Sequence, residues 1–152
     1  MSTRLTQTST LATATNVLEK AGYSRVKGFE ASDLRLPNSR LFEDSYGVAL
    51  VTVWESWGFL KAEWTAAQGA LVEIISQHIR RTESKAWDGY LVLLLPGHVP
   101  SSDEAEVESI RYDTTHVRKL VAVGEDLQKV SDIERALAPL LPLSIDMIQS
   151  QP

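Results

Sequence analysis

The fold is decided by residues 48–95, which read VALVTVWESWGFLKAEWTAAQGALVEIISQHIRRTESKAWDGYLVLLL. Two charge-free apolar runs, 48–54 and 90–95, bound this stretch, and such runs are typical of strands buried on both faces of a sheet. Between them, apolar side chains recur at alternating spacings of three and four residues, which predicts a long helix over residues 55–81. The recurring stripe consists of Trp57, Leu60, Trp64, Ala67, Leu71, Ile74 and His78. We expect it to pack against both strands, with His78 as a partly buried packing residue.

The opposite side of the predicted helix is small and weakly charged. Its residues are Gly58, Ala62, Thr65, Ala66, Gly69 and Ser76. A helix that is apolar on one side and small on the other is usually covered on both sides. In a chain of 152 residues, we expect part of that cover to be another protein, either a partner or a second copy. Ala62 and Ala66 are the predicted contact residues, because small side chains let two helix backbones approach closely.

Length and composition bound the class of protein. A chain of 152 residues with 43% hydrophobic and 23% charged side chains predicts one folded domain. It has no cysteine, which excludes disulfides and thiolate metal sites. No apolar run reaches the roughly 18 to 20 residues that a membrane helix needs, and the first ten residues lack an apolar signal core. We therefore expect a cytoplasmic protein that does not bind membranes.

The net charge of −5 is unevenly distributed along the chain. Residues 1–40 carry a balance of +3, and residues 41–152 carry a balance of −8. Nonspecific nucleic-acid binding normally depends on a clear basic excess, which the whole chain lacks. The candidates for a local basic patch are Arg25, Lys27, Arg35 and Arg40. We interpret these residues as part of a solvated face. The alternative interpretation is that they bind nucleic acid.

Upstream of the decisive stretch, residues 1–8 are expected to form a disordered tail. Residues 11–21 predict a short amphipathic helix that ends at Gly22. Residues 23–30 predict a strand. A short hairpin is expected next, with flanks at 34–36 and 40–42 around a turn at 37–39.

Downstream, residues 98–106 are expected to be a loop. Its acidic end, 103–106, is interpreted either as a cation site or, more simply, as a solvated loop. Residues 109–112 and 119–123 predict two short strands. Ser131 is the expected N-cap of a helix that ends near Leu140, because Glu134 would complete a capping box.

Residues 9–143 are therefore predicted to form a single α/β domain with a mixed central sheet and one long helix, followed by a tail at 144–152. The order helix, two or three strands, long helix, strand resembles the core of restriction-endonuclease-like nucleases. Such a site needs an Asp near one strand and Glu-x-Lys or Asp-x-Lys on the next, to hold Mg²⁺ and position water. Strand 48–54 has neither carboxylate nor lysine, and Glu43 and Asp44 complete no site. The resemblance thus implies a degenerate core.

Other catalytic motifs are missing as well. His78, His98 and His116 have no metal-ligand spacing, and the chain contains neither Gly-x-Ser-x-Gly nor a phosphate-binding glycine loop. We predict no catalytic residue, no metal and no cofactor, and favour a non-enzymatic role. The alternative is a metal-dependent nuclease, or a nuclease subunit whose site is completed in trans.

Two stretches carry a second resemblance: 85–94, KAWDGYLVLL, and 110–121, IRYDTTHVRKLV. They resemble the small middle components of bacterial three-component ABC-ATPase systems, which are similar in layout to SMC-like antiphage defence operons. The resemblance covers about residues 43–143. It implies an adaptor that contacts the ATPase or the effector, and it offers no catalytic residue to carry over.

One cluster of side chains has the composition of a protein interface. Within nine residues the chain places Arg111, Tyr112, Asp113, His116, Arg118 and Lys119. Arginine, tyrosine and charge between two predicted strands suit an interface anchor. The alternative is a solvated hairpin in which Asp113 and Arg118 form a local ion pair. If Arg118 and Lys119 are surface cations, exchanging both for glutamate should leave the thermal stability unchanged.

Overall fold

A computed structural model describes residues 5–26, 38–44, 47–82 and 88–141, and for 77–82 and 88 the backbone alone. The described chain alternates helices and strands. The helices are α1 (Gln7–Lys20), α2 (Trp57–Thr82), α3 (Glu104–Arg111) and α4 (Val130–Leu137). The strands are β1 (Ser24–Arg25), β2 (Ser39–Glu43), β3 (Gly47–Val53), β4 (Asp88–Leu95) and β5 (Arg118–Val123). Short 3₁₀ turns lie at Ser101–Asp103, Gly124–Asp126 and Ala138–Leu140.

The five strands form one mixed sheet in chain order. The pairs β1–β2 and β2–β3 are antiparallel, and β3–β4 and β4–β5 are parallel. Parallel neighbours cannot be joined by a tight turn, so a crossover must return the chain to the same end of the sheet. Helix α2 makes that crossover between β3 and β4, and α3 makes it between β4 and β5. The predicted single α/β domain with a mixed sheet and one long helix is confirmed.

The sheet is covered on both faces, which explains the charge-free strands. Every residue of β3 is buried, and alternate side chains enter two different cores. Leu50 packs toward α2, together with Trp57, Leu60 and Leu71. Val51 packs on the other side, among side chains of α1 and α4. The predicted stripe is thus confirmed as core from Trp57 to Ile74, although Trp64 is only partly buried against it.

The domain begins earlier than predicted. Thr6 precedes α1, and its side chain accepts a hydrogen bond from the Ser9 amide at 3.0 Å. Leu5 is only 8% exposed and belongs to the core between the sheet and α1. The expectation of a disordered tail at 1–8 is therefore wrong for residues 5–8. At the other end of α1, Gly22 takes a φ of +103°, the left-handed conformation that its predicted capping role requires.

The segment 109–112 is not a strand, and the loop predicted at 98–106 is partly wrong. Helix α3 runs from Glu104 to Arg111 after a 3₁₀ turn. Val107 and Ile110, one turn apart, are buried against β5, while Glu108 and Ser109 between them are exposed. The sequence-based interpretation missed the requirement that a parallel β4–β5 pair needs a crossover element. The strand predicted at 119–123 is confirmed as β5.

The last helix starts one residue before the predicted cap. Helix α4 begins at Val130, so Ser131 lies inside it and Glu134 does not close a capping box. Asp132 caps the start of the helix instead, because its carboxylate accepts hydrogen bonds from the Gln128 amide at 2.9 Å and the Lys129 amide at 3.2 Å. These hydrogen bonds satisfy backbone donors at the helix start and lower the pKa of Asp132.

Several predictions lie outside the described residues. They concern residues 1–4, the strand residues 27–30, the hairpin flank 34–36, the side chain of His78, and the tail at 144–152. The other flank, 40–42, is part of β2. Among the described helices, none is long and apolar enough to cross a membrane.

The core assignment predicts a position-specific loss of stability within α2. Leu71 is fully buried, so Leu71→Ala should lower the free energy of unfolding by about 2–5 kcal/mol. Glu73, two residues along the same helix, is exposed, and Glu73→Ala should change it by no more than about 0.5 kcal/mol. Urea unfolding followed by circular dichroism measures both. Equal losses in the two variants would contradict the assignment.

Candidate functional site

The side of α2 that faces away from the sheet is open to solvent. We define the outer face of α2 by its exposed residues Gly58, Phe59, Ala62, Thr65, Ala66, Gly69, Glu73 and Ser76. Phe59 is 43% exposed, which makes it one of the few large hydrophobic side chains on the described surface. The predicted contact residues Ala62 and Ala66 lie in the middle of this face. A long helix therefore presents a face of mostly small side chains to solvent, with the Glu73 carboxylate on it and the exposed charged residues Lys61 and Glu63 beside it.

The predicted cluster 111–119 does not form one surface. Arg111 ends α3 and is partly buried. Its guanidinium donates to the Val121 carbonyl at 3.1 Å and lies 3.4 Å from the Asp126 carboxylate. It also pairs with Glu108. Arg111 thus ties α3 to β5 and to the turn after β5, so its contacts are structural.

Lys119 is buried, which contradicts its assignment as a surface cation. Its side chain has 0% exposure, and Nζ donates to the Asp113 carboxylate at 2.9 Å. Nζ also donates to the carbonyls of Thr115 at 2.7 Å and Val117 at 2.9 Å. The ammonium lies 5.7 Å from the centre of the Trp64 ring. Lys119 therefore holds the turn before β5 against α2.

Asp113 pairs with Lys119, whereas the sequence interpretation paired it with Arg118. The hydrogen bond from Lys119 lowers the pKa of the Asp113 carboxyl, and the Thr115 amide, at 2.7 Å, lowers it further. A carboxyl with a lowered folded-state pKa stabilises the fold above its ordinary pKa, and that stabilisation is lost as pH falls through the lowered value. The pair of Asp113 and Lys119 therefore stabilises the turn before β5 less as the pH falls through the lowered pKa of Asp113.

The remaining members of the cluster are available at the surface. Tyr112 is 73% exposed, and His116 is exposed with a φ of +68°. Arg118 is exposed, with its guanidinium 6.0 Å from the centre of the Tyr90 ring. Three side chains of the segment are therefore exposed for contact with a partner, whereas the sequence predicted six.

The predicted basic patch is also divided. Arg25 pairs with Glu19 at 3.1 Å. Arg40 is partly buried and donates to the Thr15 hydroxyl at 2.9 Å, and burial lowers the pKa of its guanidinium. Lys27 and Arg35 lie outside the described residues.

The acidic residues at 103–106 contact α2. Asp103 accepts the indole N–H of Trp57 at 2.7 Å, and Lys61 lies 3.6 Å from Glu106. They hold the start of α3 against the first turns of α2. Within the described part of the chain, no group of three or more His, Asp or Glu side chains is arranged to hold a metal ion.

Two cavities lie near the edge where the parallel strands end, and the sequence analysis identified neither. One cavity, of about 290 Å³, lies beside the C-terminal end of β3 and the first residues of α1, β2 and α2. The other, of about 420 Å³, lies between α3 and the end of β5, with His98, Arg111 and four carboxylates in its lining. Their linings come from residues far apart in sequence, so spacing alone gave no signal.

Comparisons with known proteins add no relative. No family model matches the chain, and no curated protein and no solved structure shows significant similarity to it.

The burial of Lys119 replaces the sequence-based expectation for the two cations. Lys119→Met should lower the free energy of unfolding by about 1–3 kcal/mol, because two carbonyls and Asp113 lose their donor. Arg118→Gln, at the adjacent exposed position, should change it by less than about 0.5 kcal/mol. Thermal and urea unfolding measure the stability of both variants. A Lys119→Met variant as stable as the parent protein would show that the hydrogen bonds of Lys119 do not stabilise the fold.

Proposed function

We propose that this protein is a non-enzymatic adaptor subunit of a multi-protein bacterial assembly, and that the outer face of α2 receives a helix of its partner. The observation that supports the proposal is the exposure of a helix face of mostly small side chains, with Phe59 at one end, on a helix whose other side packs in the core. Exposed apolar patches bordered by polar residues commonly mark protein-binding sites.

A helix is the partner element that fits this face best. From Gly58 to Ser76 the face extends for about 27 Å, at 1.5 Å per residue. Ala62, Ala66 and Gly69 lie on neighbouring turns and leave shallow grooves, into which the side-chain ridges of a second helix can pack. Phe59 at one end would supply an aromatic anchor of the kind that dominates binding energy.

Charge favours a different protein over a second copy. In a symmetric antiparallel pair centred on Ala66, Phe59 would lie opposite Glu73. In a parallel pair, Glu73 would lie opposite its own copy, and like charges across an interface cost binding energy. A partner helix with an apolar residue opposite Phe59 and a basic residue opposite Glu73 satisfies both positions.

The resemblance to middle components of three-component systems suggests the identity of that partner. We propose the ABC-type ATPase or the effector encoded beside this chain, acting in antiviral defence in the cytoplasm. Tyr112, His116 and Arg118 are proposed as a second, smaller contact, since they remain exposed.

A charge placed at the centre of the outer face should abolish binding. Ala66→Arg should weaken partner binding at least tenfold, about 1.4 kcal/mol, because a long charged side chain would prevent close helix approach. Ala12→Arg is the matched control, since Ala12 is also an exposed helical alanine but lies on α1, which packs on the opposite face of the sheet.

Biolayer interferometry with the purified neighbouring gene product measures both variants, and their melting temperatures should match that of the parent protein. Equal binding by Ala66→Arg and Ala12→Arg would contradict the proposed surface. Concentration-dependent dimerisation in light scattering that Ala66→Arg abolishes would assign the face to a second copy.

The order of elements favours one second candidate. The described residues between 7 and 95 give helix, three strands, helix, strand, which is the order implied by the resemblance to restriction-endonuclease-like nucleases. On that basis a nuclease subunit with a site completed in trans is the alternative. Calorimetric titration with Mg²⁺ or Mn²⁺, alone and with the partner, together with a plasmid-nicking assay, separates the two. Tight metal binding with nicking would replace the adaptor proposal.

A further inference from the structure

Strand β5 is an outer strand of the described sheet. The strand order places it last, and β4 is its partner among the described strands. An outer strand leaves alternate backbone N–H and C=O groups without a strand partner, and another chain can pair with them. β5 has six residues, and the last four, Leu120–Val123, are apolar. Such an edge pairs readily with other strands unless a side chain blocks it.

The backbone hydrogen bonds of β4 show which groups of β5 point away from the sheet. The Leu94 carbonyl accepts a hydrogen bond from the amide of Trp54, the residue after β3, at 2.9 Å. Because backbone groups alternate in direction along a strand, the groups of Leu93 face β5. Leu93 lies opposite Val121, and in a parallel pair its groups bond to the two neighbours of Val121. The N–H and C=O of Val121 therefore point to the free side of β5.

Arg111 covers this free side at its centre. Its guanidinium, at the end of α3, donates to the outward Val121 carbonyl at 3.1 Å. Two carboxylates hold it there, since it pairs with Glu108 and lies 3.4 Å from Asp126, in the turn after β5. A strand that paired with β5 would have to displace the guanidinium or bury its charge, and both cost free energy.

A groove gives other chains access to this edge. It has a volume of about 340 Å³ and lies between α3, on one face of the sheet, and α4, on the other. Val121, Arg111 and Arg135 are among its lining residues. The Arg135 side chain is 79% exposed and pairs with Asp132, on α4 itself, at 3.6 Å. Of the two arginines in the groove, Arg111 is therefore the one that contacts the edge.

We propose that Arg111 blocks pairing of β5 with the β5 strand of a second copy. Every copy carries the same edge, so a twofold axis at Val121 would place two β5 strands side by side in antiparallel orientation. The two Val121 residues would then exchange both hydrogen bonds, Lys119 would lie opposite Val123, and like charges would not meet. The guanidinium is the charge that opposes this pairing. The proposal concerns the sheet edge and does not depend on the outer face of α2 being a docking surface.

Removal of the guanidinium should make the folded protein dimerise. Arg111→Met keeps a long unbranched side chain and Arg111→Gln a polar one, and each should lower the dimer dissociation constant at least about tenfold relative to the parent protein. Arg135→Met is the matched control, because it removes the same charge from the same groove without uncovering a backbone group of β5. Sedimentation velocity over a concentration series measures association, and urea unfolding identifies which Arg111 variants are folded.

Hydrogen exchange shows whether β5 is the strand that pairs. In the parent protein the outward Val121 amide should exchange at least about tenfold faster than the Ala122 amide, which donates to β4. In the dimer of an Arg111 variant, the Val121 amide should become protected. Addition of Val121→Pro removes that N–H without breaking a hydrogen bond to β4, so it should restore the monomer.

Folded Arg111 variants that remain monomeric, or an Arg135→Met variant that dimerises equally, would overturn the proposal. So would a dimer that Val121→Pro leaves intact, or a Val121 amide as protected as that of Ala122 in the parent protein. A dimer that Ala66→Arg abolishes would assign the association to α2 and overturn the proposal as well. Partner binding by Ala66→Arg tests the α2 face alone, so the two proposals fail independently.

Discussion

The parallel pairing of β3 with β4 is the constraint on which the rest of the structure depends. Two parallel strands with no charged residue in their centres must be covered on both faces, and they must be joined by a crossover. Helix α2 satisfies both requirements at once. The contact is close at Gly89 of β4, where a Cβ atom would lie 2.5 Å from the Ile75 side chain and 2.9 Å from Val117. The absence of a side chain there lets α2 and the turn before β5 meet over the sheet.

Only one side of α2 packs on the sheet. The buried stripe completes the core, while α1 and α4 cover the other face of the sheet. The second side of the helix is exposed in the described domain, and it is built mostly from small residues, with Glu73 on it and Lys61 and Glu63 beside it. The proposed adaptor role explains this composition, because close helix contact requires small side chains.

The sequence was sufficient for residues 48–95 because burial on both faces and a period of 3.6 leave unmistakable patterns. It was insufficient where a few residues decide the outcome. Helix α3 buries only Val107 and Ile110, and two apolar residues are too few to establish a helical period. The burial of Lys119 depends on carbonyls that the turn at 115–117 directs inward, and composition alone marks a lysine there as surface. The cavity beside Trp54 was unpredictable because its lining comes from several elements.

We propose that the outer face of α2 is the partner surface, and chemical-shift mapping tests this proposal most directly. Addition of the unlabelled neighbouring gene product to ¹⁵N-labelled protein should broaden or shift the amide resonances of Gly58, Ala62, Ala66 and Gly69. Those of Ala12 and Asn16 on α1 should remain unchanged. Perturbation confined to α1, or confined to 112–118 with the α2 amides unaffected, would contradict the account.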